Sequence, residues 1–399
     1  AWKTVSSWPG TFLHPDGSVL NVYVDDILLA ASEENTKKHW KLLTAAVEFK
    51  DEPAEISQFV GAHYSLQKFD KAKPKEERTL KISMSGYTEH MCEKFVQDTG
   101  IALHRKVPTP FVSNEIWNDD DEETGKFASI APSHAATALF LYRVGRPDIA
   151  AATQRLCSKV SAWTVVHDKA LIRLMLYAQS TTEAALFGTL SPGDLEKIQI
   201  CSYSDADLNG NSETTKSVSG YWVELHNPES GNSFPLSWGL SQQTSTSSAT
   251  AESETIAFSH TLRREALPIQ SLLEEALAQT VPIRSLIDNM QTLQVVEKGY
   301  SKKFRHLPRT QRICLGVLKE LVDDPDMRIS MEHCPTAKMK ADLFTKSLNT
   351  EKYIEAKRMI RLETPGESTT DELKESGTDQ GKKTPQRKVA HDGLACAGG

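Results

Sequence analysis

Apolar and polar positions alternate along Val19-Leu-Asn-Val-Tyr-Val-Asp-Asp-Ile-Leu-Leu-Ala30 in two short bursts that flank a pair of acids. A period of two predicts a hairpin with Asp25-Asp26 at its tip. Turn chemistry alone leaves the pair unexplained, because tight hairpins favour Gly or Asn beside Asp and neither is present. An amphipathic helical period follows near residues 33–49. From 134 to 190 the pattern is helical again: Ala138, Leu139, Leu141 and Tyr142 supply an apolar face, Gly145-Arg-Pro-Asp148 interrupts it, and Pro147 suits the first position of a new helix. Further on, Ile198, Ile200 and Tyr203 among polar neighbours predict a half-buried strand over 198–205 that ends in Asp205. After it the pattern predicts strands at 218–225 and 234–240 and a long helix over 249–278 bent at Pro268. It continues with a strand at 283–288, helices at 290–298 and 309–322, a strand at 327–333 and a helix at 338–347. Three strands, a helix, then alternating strand and helix define a mixed sheet with helices on its faces.

Four acids recur at the ends or starts of these elements. Asp205 closes the first strand, Glu254 lies in Ser248-Ala-Thr-Ala-Glu-Ser-Glu-Thr-Ile-Ala-Phe258, Asp288 closes Ile283-Arg-Ser-Leu-Ile-Asp, and Asp342 sits in Lys340-Ala-Asp-Leu-Phe-Thr-Lys346. A carboxylate at the edge of an apolar run is costly to desolvate unless a positive group meets it. Acids gathered from such separated places suit hard divalent cations, which take oxygen ligands and in pairs support phosphodiester cleavage. On a helix, residues two apart point to nearly opposite sides, so only one of Glu252 and Glu254 can face such a site. Glu254 shares its face with Ala257 and Phe258 and is the inward choice; Glu252 suits a first-turn acid favoured by the helix dipole. Asp207 reads as a neighbour of the site rather than a ligand, and His167 as a packing or capping residue.

Composition sets the outer limits. The 399 residues are 39% hydrophobic, enough for two or three cored domains. A formal charge of -7 does not announce a nucleic-acid binder, so local clusters matter more than the sum. The basic stretch Ser301-Lys-Lys-Phe-Arg-His-Leu-Pro-Arg-Thr-Gln-Arg312 is such a cluster, and Lys302, Lys303, Arg305, His306 and Arg309 are its candidate phosphate contacts. Six cysteines show no C-x-x-C spacing, which argues against a disulfide framework or zinc site and makes a reducing compartment the simple reading. No apolar run reaches the roughly 18 residues of a membrane span. An initial Ala rather than Met suggests a piece of something longer. Residues 70–78 read as a solvated charged loop, Asn118-Asp-Asp-Asp-Glu-Glu123 as an exposed acidic boundary, and the Gly, Ser, Thr, Glu and Lys composition after about Ile360 as a disordered tail.

Several of these segments resemble copia-type retrotransposon Pol polyproteins. Tyr203-Ser-Asp-Ala-Asp207, Lys216-Ser-Val-Ser-Gly-Tyr221, Leu236-Ser-Trp238, the Ala-Glu-Ser-Glu segment, Ile287-Asp-Asn289, Arg305-His306 and Ala341-Asp-Leu-Phe-Thr-Lys346 occur in the order of that family's ribonuclease H domain. Tyr23-Val-Asp-Asp26, Phe59-Val-Gly61, Ile82-Ser-Met-Ser-Gly-Tyr87, Val107-Pro-Thr-Pro110, Arg146-Pro-Asp148, His167 and Tyr177 follow its reverse transcriptase and connection. The resemblance implies a C-terminal part of the reverse transcriptase (1–112, palm hairpin and thumb-like region), an acidic linker (113–133), a helical connection (134–190), a ribonuclease H-like domain with a five-stranded mixed sheet (191–350) and a disordered tail (351–399). It implies Mg2+, or Mn2+, held by Asp205, Glu254, Asp288 and Asp342 for cleavage of RNA in an RNA–DNA hybrid, with Asp25 and Asp26 as palm metal ligands. RNA-directed DNA polymerase activity is expected to be lost, because the upstream palm aspartate and the fingers have no place in the 22 residues before Tyr23; the missing N-terminal part of the polyprotein is then a candidate partner. Two departures from the family stand out: Leu208 replaces an aromatic, and Gly239-Leu-Ser-Gln-Gln243 lacks the family's lysines, whose loss removes phosphate contacts and implies weaker hybrid binding. A decayed or repurposed fragment that binds nucleic acid without catalysis is the competing reading.

Overall fold

Four short strands open the chain in the computed structural model, which describes residues 1–67, 78–112, 114–117, 123–210 and 214–365. They are β1 (Lys3–Thr4), β2 (Thr11–Leu13), β3 (Val19–Tyr23) and β4 (Asp26–Ala30), an antiparallel sheet in sequential order. The hairpin turn sits one residue earlier than the alternation predicts. Tyr23 pairs with Asp26, so Val24-Asp25 forms the turn and Asp26 begins β4. Two-residue hairpin loops need positive φ, and with no Gly available Val24 takes it at φ 55. Helix α1 (Glu33–Ala46) follows, with the Ser32 hydroxyl accepting from the Asn35 N–H at its start; it ends three residues before the predicted 49, where Val47 is extended.

Next come β5 (Gln58–Phe59), β6 (Ala62–Gln67), β7 (Arg78–Ser83), α2 (Ser85–Thr99), α3 (Asn114–Trp117), α4 (Ala131–Val144), α5 (Ala150–Cys157) and α6 (Val165–Ser180). The charged loop at 70–78 falls, apart from Arg78, outside the described residues; so does the acidic run up to Glu122. Arg146 and Asp148 between α4 and α5 are fully buried and joined by two hydrogen bonds of 2.9 and 2.8 Å. Tyr177 donates to the same carboxylate at 2.7 Å, and Arg146 also donates to Thr181. His167 is a cap: its Nδ1 accepts from the Thr164 N–H at 2.9 Å. The predicted helical stretch to 190 needs correction, because Ala185–Leu190 is a strand, β8, paired antiparallel with β7 a hundred residues earlier.

The remaining elements are β9 (Gln199–Asp207), β10 (Val218–His226), β11 (Ser233–Gln242), α7 (Thr250–His260), a π-helical turn over Thr261–Ala266, α8 (Leu267–Leu277), β12 (Ile283–Ile287), α9 (Met290–Lys298), α10 (Leu307–Thr310), α11 (Leu315–Asp323), β13 (Ile329–His333), α12 (Asp342–Thr345), α13 (Thr350–Met359) and β14 (Leu362–Glu363). The long helix is thus interrupted by a π turn just before Pro268, whose ring and missing N–H disrupt a regular ladder. The predicted helix 309–322 is broken by Arg312 at φ 56. Strands β11-β10-β9-β12-β13 form one mixed sheet, antiparallel across the first three and parallel across β9, β12 and β13. Strand β9 is buried along both faces rather than one. Ile200, Val223, Phe258, Leu262, Ile283, Leu293 and Leu318 pack one core. A second core runs from Phe95, Leu141, Leu174 and Leu186 to Trp222, Phe344 and Tyr353, so apolar packing is continuous across the boundary drawn at 190/191. Order also extends past 350, where disorder is predicted: the Tyr353 hydroxyl of α13 donates to the Asp148 carbonyl at 3.0 Å, and β14 pairs with β8. Residues 366–399 lie outside the described part.

Candidate metal centre

Strand register brings the first two acids together. Ile287, the last residue of β12, lies opposite Ser204 of the parallel neighbour β9, so Asp205 and Asp288 are the next residues along the two chains. Helix α7 crosses the same end of the sheet, and the Ala206 N–H donates to the Glu254 carboxylate. Asp205, Glu254 and Asp288 each place an oxygen within 4.8 Å of the other two. Asp205 is 1% exposed and Glu254 is 3% exposed. Asp342, first residue of α12, stands outside this trio. It joins through Lys346, whose Nζ donates to Asp342 Oδ1 at 2.6 Å and to Asp205 Oδ1 at 3.1 Å.

The turn that carries Asp342 reaches Asp205 because of a glycine. Gly220 of β10 is paired with Asp205, and a Cβ there would meet Thr345 Cγ2 at 2.7 Å and Phe344 Cβ at 2.8 Å. Without that side chain the α12 turn closes onto the strand, and the Thr345 hydroxyl donates to Asp205 Oδ2. Trp222, fully buried, stacks on both Trp238 and Phe344 at centroid distances of 5.6 and 6.3 Å and fixes the turn from the other side. Lys340 is absorbed structurally, with its ammonium on both oxygens of Glu224.

Crowded acids share too little counter-charge to ionise freely. Burial, then the neighbouring charges of Asp205 and Asp288, push the Glu254 carboxyl up to about 9. Burial and Asp205 also raise Asp288 and Asp207, and lift Asp342 to about 6 against the opposing pull of Lys346. Glu254 Oε2 is buried with no hydrogen-bond partner. An all-oxygen donor set, mutual spacing under 5 Å and one orphaned carboxylate oxygen are what a hard divalent cation would complete. Glu252 faces elsewhere: it accepts from Ser248 and lies 2.7 Å from His306 Nε2. Burial raises its carboxyl, but the Ser248 and His306 bonds outweigh it and the net shift is downward.

The other predicted site residues separate. Asp25 and Asp26 are exposed, and among the described residues neither belongs to a three-residue group able to hold a metal. Lys302, Lys303, Arg305, His306 and Arg309 line an exposed face, with Arg305 donating to the Tyr300 hydroxyl at 2.9 Å. Phe304, which interleaves with them in sequence, is in the core at 6% exposure and cannot stack on a base. A cavity of about 470 Å³ adjoins the acid cluster, lined by Trp117, Arg155, Lys159, Asp207 and Lys346 among others. Arg155 stacks over Trp117 at 4.2 Å and donates to Ser347. The roles of Thr345 and Lys346 went unread in the sequence; the four-residue spacing of Asp342 and Lys346 was the available signal.

Fold and site together define a mixed α/β protein with a buried carboxylate cluster of the kind that holds hard cations. Comparison with known proteins adds its relatives: homologues that align with most of the chain are retrovirus-related Pol polyproteins from plant transposons. The chain is 24% identical over 355 residues to the Pol polyprotein from transposon TNT 1-94 of Nicotiana tabacum, a match covering 86% of this chain and 24% of that protein. The Pol polyprotein from transposon RE2 of Arabidopsis thaliana is 22% identical over 348 residues, covering 85% of this chain and 21% of that protein. The chain therefore spans about a quarter of the length of these relatives. Over 127 residues, a third of this chain, it is 32% identical to the secreted RxLR effector protein 161 of Plasmopara viticola, of which the match covers 82%. No known protein-family profile matches. A prototype foamy virus protease-reverse transcriptase structure overlaps 41% of this chain and 20% of that one at 12% identity, with a TM-score of 0.23, too low to carry an argument.

Proposed function

We propose that residues 191–350 form a ribonuclease H-like unit that cleaves the RNA strand of an RNA–DNA hybrid. The observation that carries this reading is the meeting of Asp205, Glu254 and Asp288 within 4.8 Å. They stand at one end of a sheet whose three antiparallel strands are followed by two parallel ones. Asp205, Glu254, Asp288 and Asp342 would hold Mg2+, which when bound supplies an activated water and counter-charge for the leaving oxygen. Thr345 and the Ala206 amide orient Asp205 and Glu254 for that task. Lys346 neutralises Asp205 and Asp342. Arg155 and Lys346 in the adjoining cavity, with the exposed Lys302, Lys303, Arg305, His306 and Arg309, would carry the phosphate backbone. Residues 1–112 are read as the C-terminal part of a reverse transcriptase without its own polymerase activity.

One observation favours the non-catalytic alternative: Lys346 already bridges two of the four acids, as a structural ion pair would. The test is degradation of an end-labelled RNA–DNA hybrid by the full chain in Mg2+. Cleavage that disappears in Asp205→Asn supports the nuclease. Equal behaviour of wild type and variant leaves only the non-catalytic reading.

A further inference from the structure

We propose a second metal site, of different chemistry, at His14, Asp16 and His39, taking a borderline transition ion of the zinc class and clipping the β2–β3 turn to α1. The turn His14-Pro-Asp-Gly17 is closed by the Gly17 N–H donating to the His14 carbonyl and the His14 N–H donating to the Ser18 carbonyl, both at 2.9 Å. Gly17, at φ +84, supplies the left-handed step. The Ser18 N–H donates to Asp16 Oδ1 at 3.0 Å and fixes the carboxylate. His14 Nδ1 lies 2.9 Å from Asp16 Oδ1, and His39 Nε2, arriving from the middle of α1, lies 2.9 Å from Asp16 Oδ2. All three residues offer donor atoms within 4.8 Å of one another. The Trp2 ring packs against both imidazoles, at 5.2 and 4.8 Å.

Two imidazoles and a carboxylate are an open zinc ligand set with room for a fourth ligand, whereas Mg2+ prefers oxygen alone. Bonds of about 2.0–2.1 Å to a tetrahedral ion put ligand atoms roughly 3.3 Å apart, so each 2.9 Å imidazole–carboxylate contact is a few tenths of an ångström short of that spacing. An independent observation points the same way. His39 is 1% exposed and its Nδ1 has no hydrogen-bond partner. The Nε2 edge of this buried ring is the one turned to Asp16 and is the edge that would bind the ion. The site lies apart from the acid cluster and does not depend on nuclease activity.

The experiment is Co2+ titration of the chelator-stripped full chain, read by visible absorption, with Zn2+ displacement and a Zn2+-dependent shift in Tm as second readouts. One equivalent giving the intense bands of four-coordinate Co2+, displaced by Zn2+, is expected. The bands and the Tm shift should vanish in His14→Ala and in Asp16→Ala, both changed in an exposed turn, and persist in Asp205→Asn. A wild type showing only the pale spectrum of six-coordinate Co2+, or unchanged bands in His14→Ala and Asp16→Ala, overturns the site.

Discussion

Glu254 shows how a single side chain reports on the whole cluster. Its carboxyl is pushed up to about 9, so without metal it holds its proton at neutral pH. A folded-state value above the unfolded 4.5 means that the protonated group favours the fold fully below pH 4.5. That contribution is lost as pH rises toward 9. Metal-free wild type should therefore lose several degrees of Tm between pH 6 and pH 9, and Glu254→Gln, which mimics the neutral acid, should lose markedly less. Thermal melts at the two pH values in a chelator decide this, and equal losses would show that Glu254 is not the strained member. Lys346 and Thr345 escaped the sequence reading for a physical reason. Their contact with Asp205 depends on the bare Cα of Gly220 across a strand pair, a register that no local pattern reveals.

Elements are joined by buried polar ties as much as by apolar packing. Arg146, Asp148, Tyr177, Thr181 and Tyr353 link the α4–α5 junction, α6 and α13 in one network. Burial would raise the Asp148 carboxyl, but Arg146 overrides it and holds it below the usual carboxylate range. Its stabilisation is therefore complete above that range and disappears as pH falls through the depressed value. Asp148→Asn would leave Arg146 buried and uncompensated, at a cost of about 3–5 kcal/mol in denaturant unfolding; a loss under 1 kcal/mol would contradict the tie. At this scale much of the fold could be read ahead. Strands β9 to β12 and α9 fall within two residues of the ranges their periodicity predicts, because each carries its own apolar period. Strand β8 could not, since its identity comes from a partner a hundred residues away. Strand β14 is two residues long, too short to show a period, and the break before α11 rests on the positive φ of Arg312, a residue with no turn signature.

Across the whole molecule, residues Ala1–Thr364 form a single compact unit, and one core spans the expected connection and the mixed sheet. Cutting the chain at 190 would expose that core, so the full chain is the right reagent. Lys302, Lys303, Arg305, His306 and Arg309 are exposed, and under the proposed function they contact the hybrid backbone. Alanine at Lys302, Lys303 and Arg305 together should flatten the salt dependence of hybrid binding by roughly 1 in log–log slope for each cation removed; an unchanged slope would exclude this face. The acid cluster itself is tested most directly by calorimetric titration of the full chain with Mg2+ at pH 8. Saturable binding with proton release, lost in Asp205→Asn and weakened in Asp288→Asn, is the expected result. The same heat and stoichiometry in wild type and Asp205→Asn would contradict it.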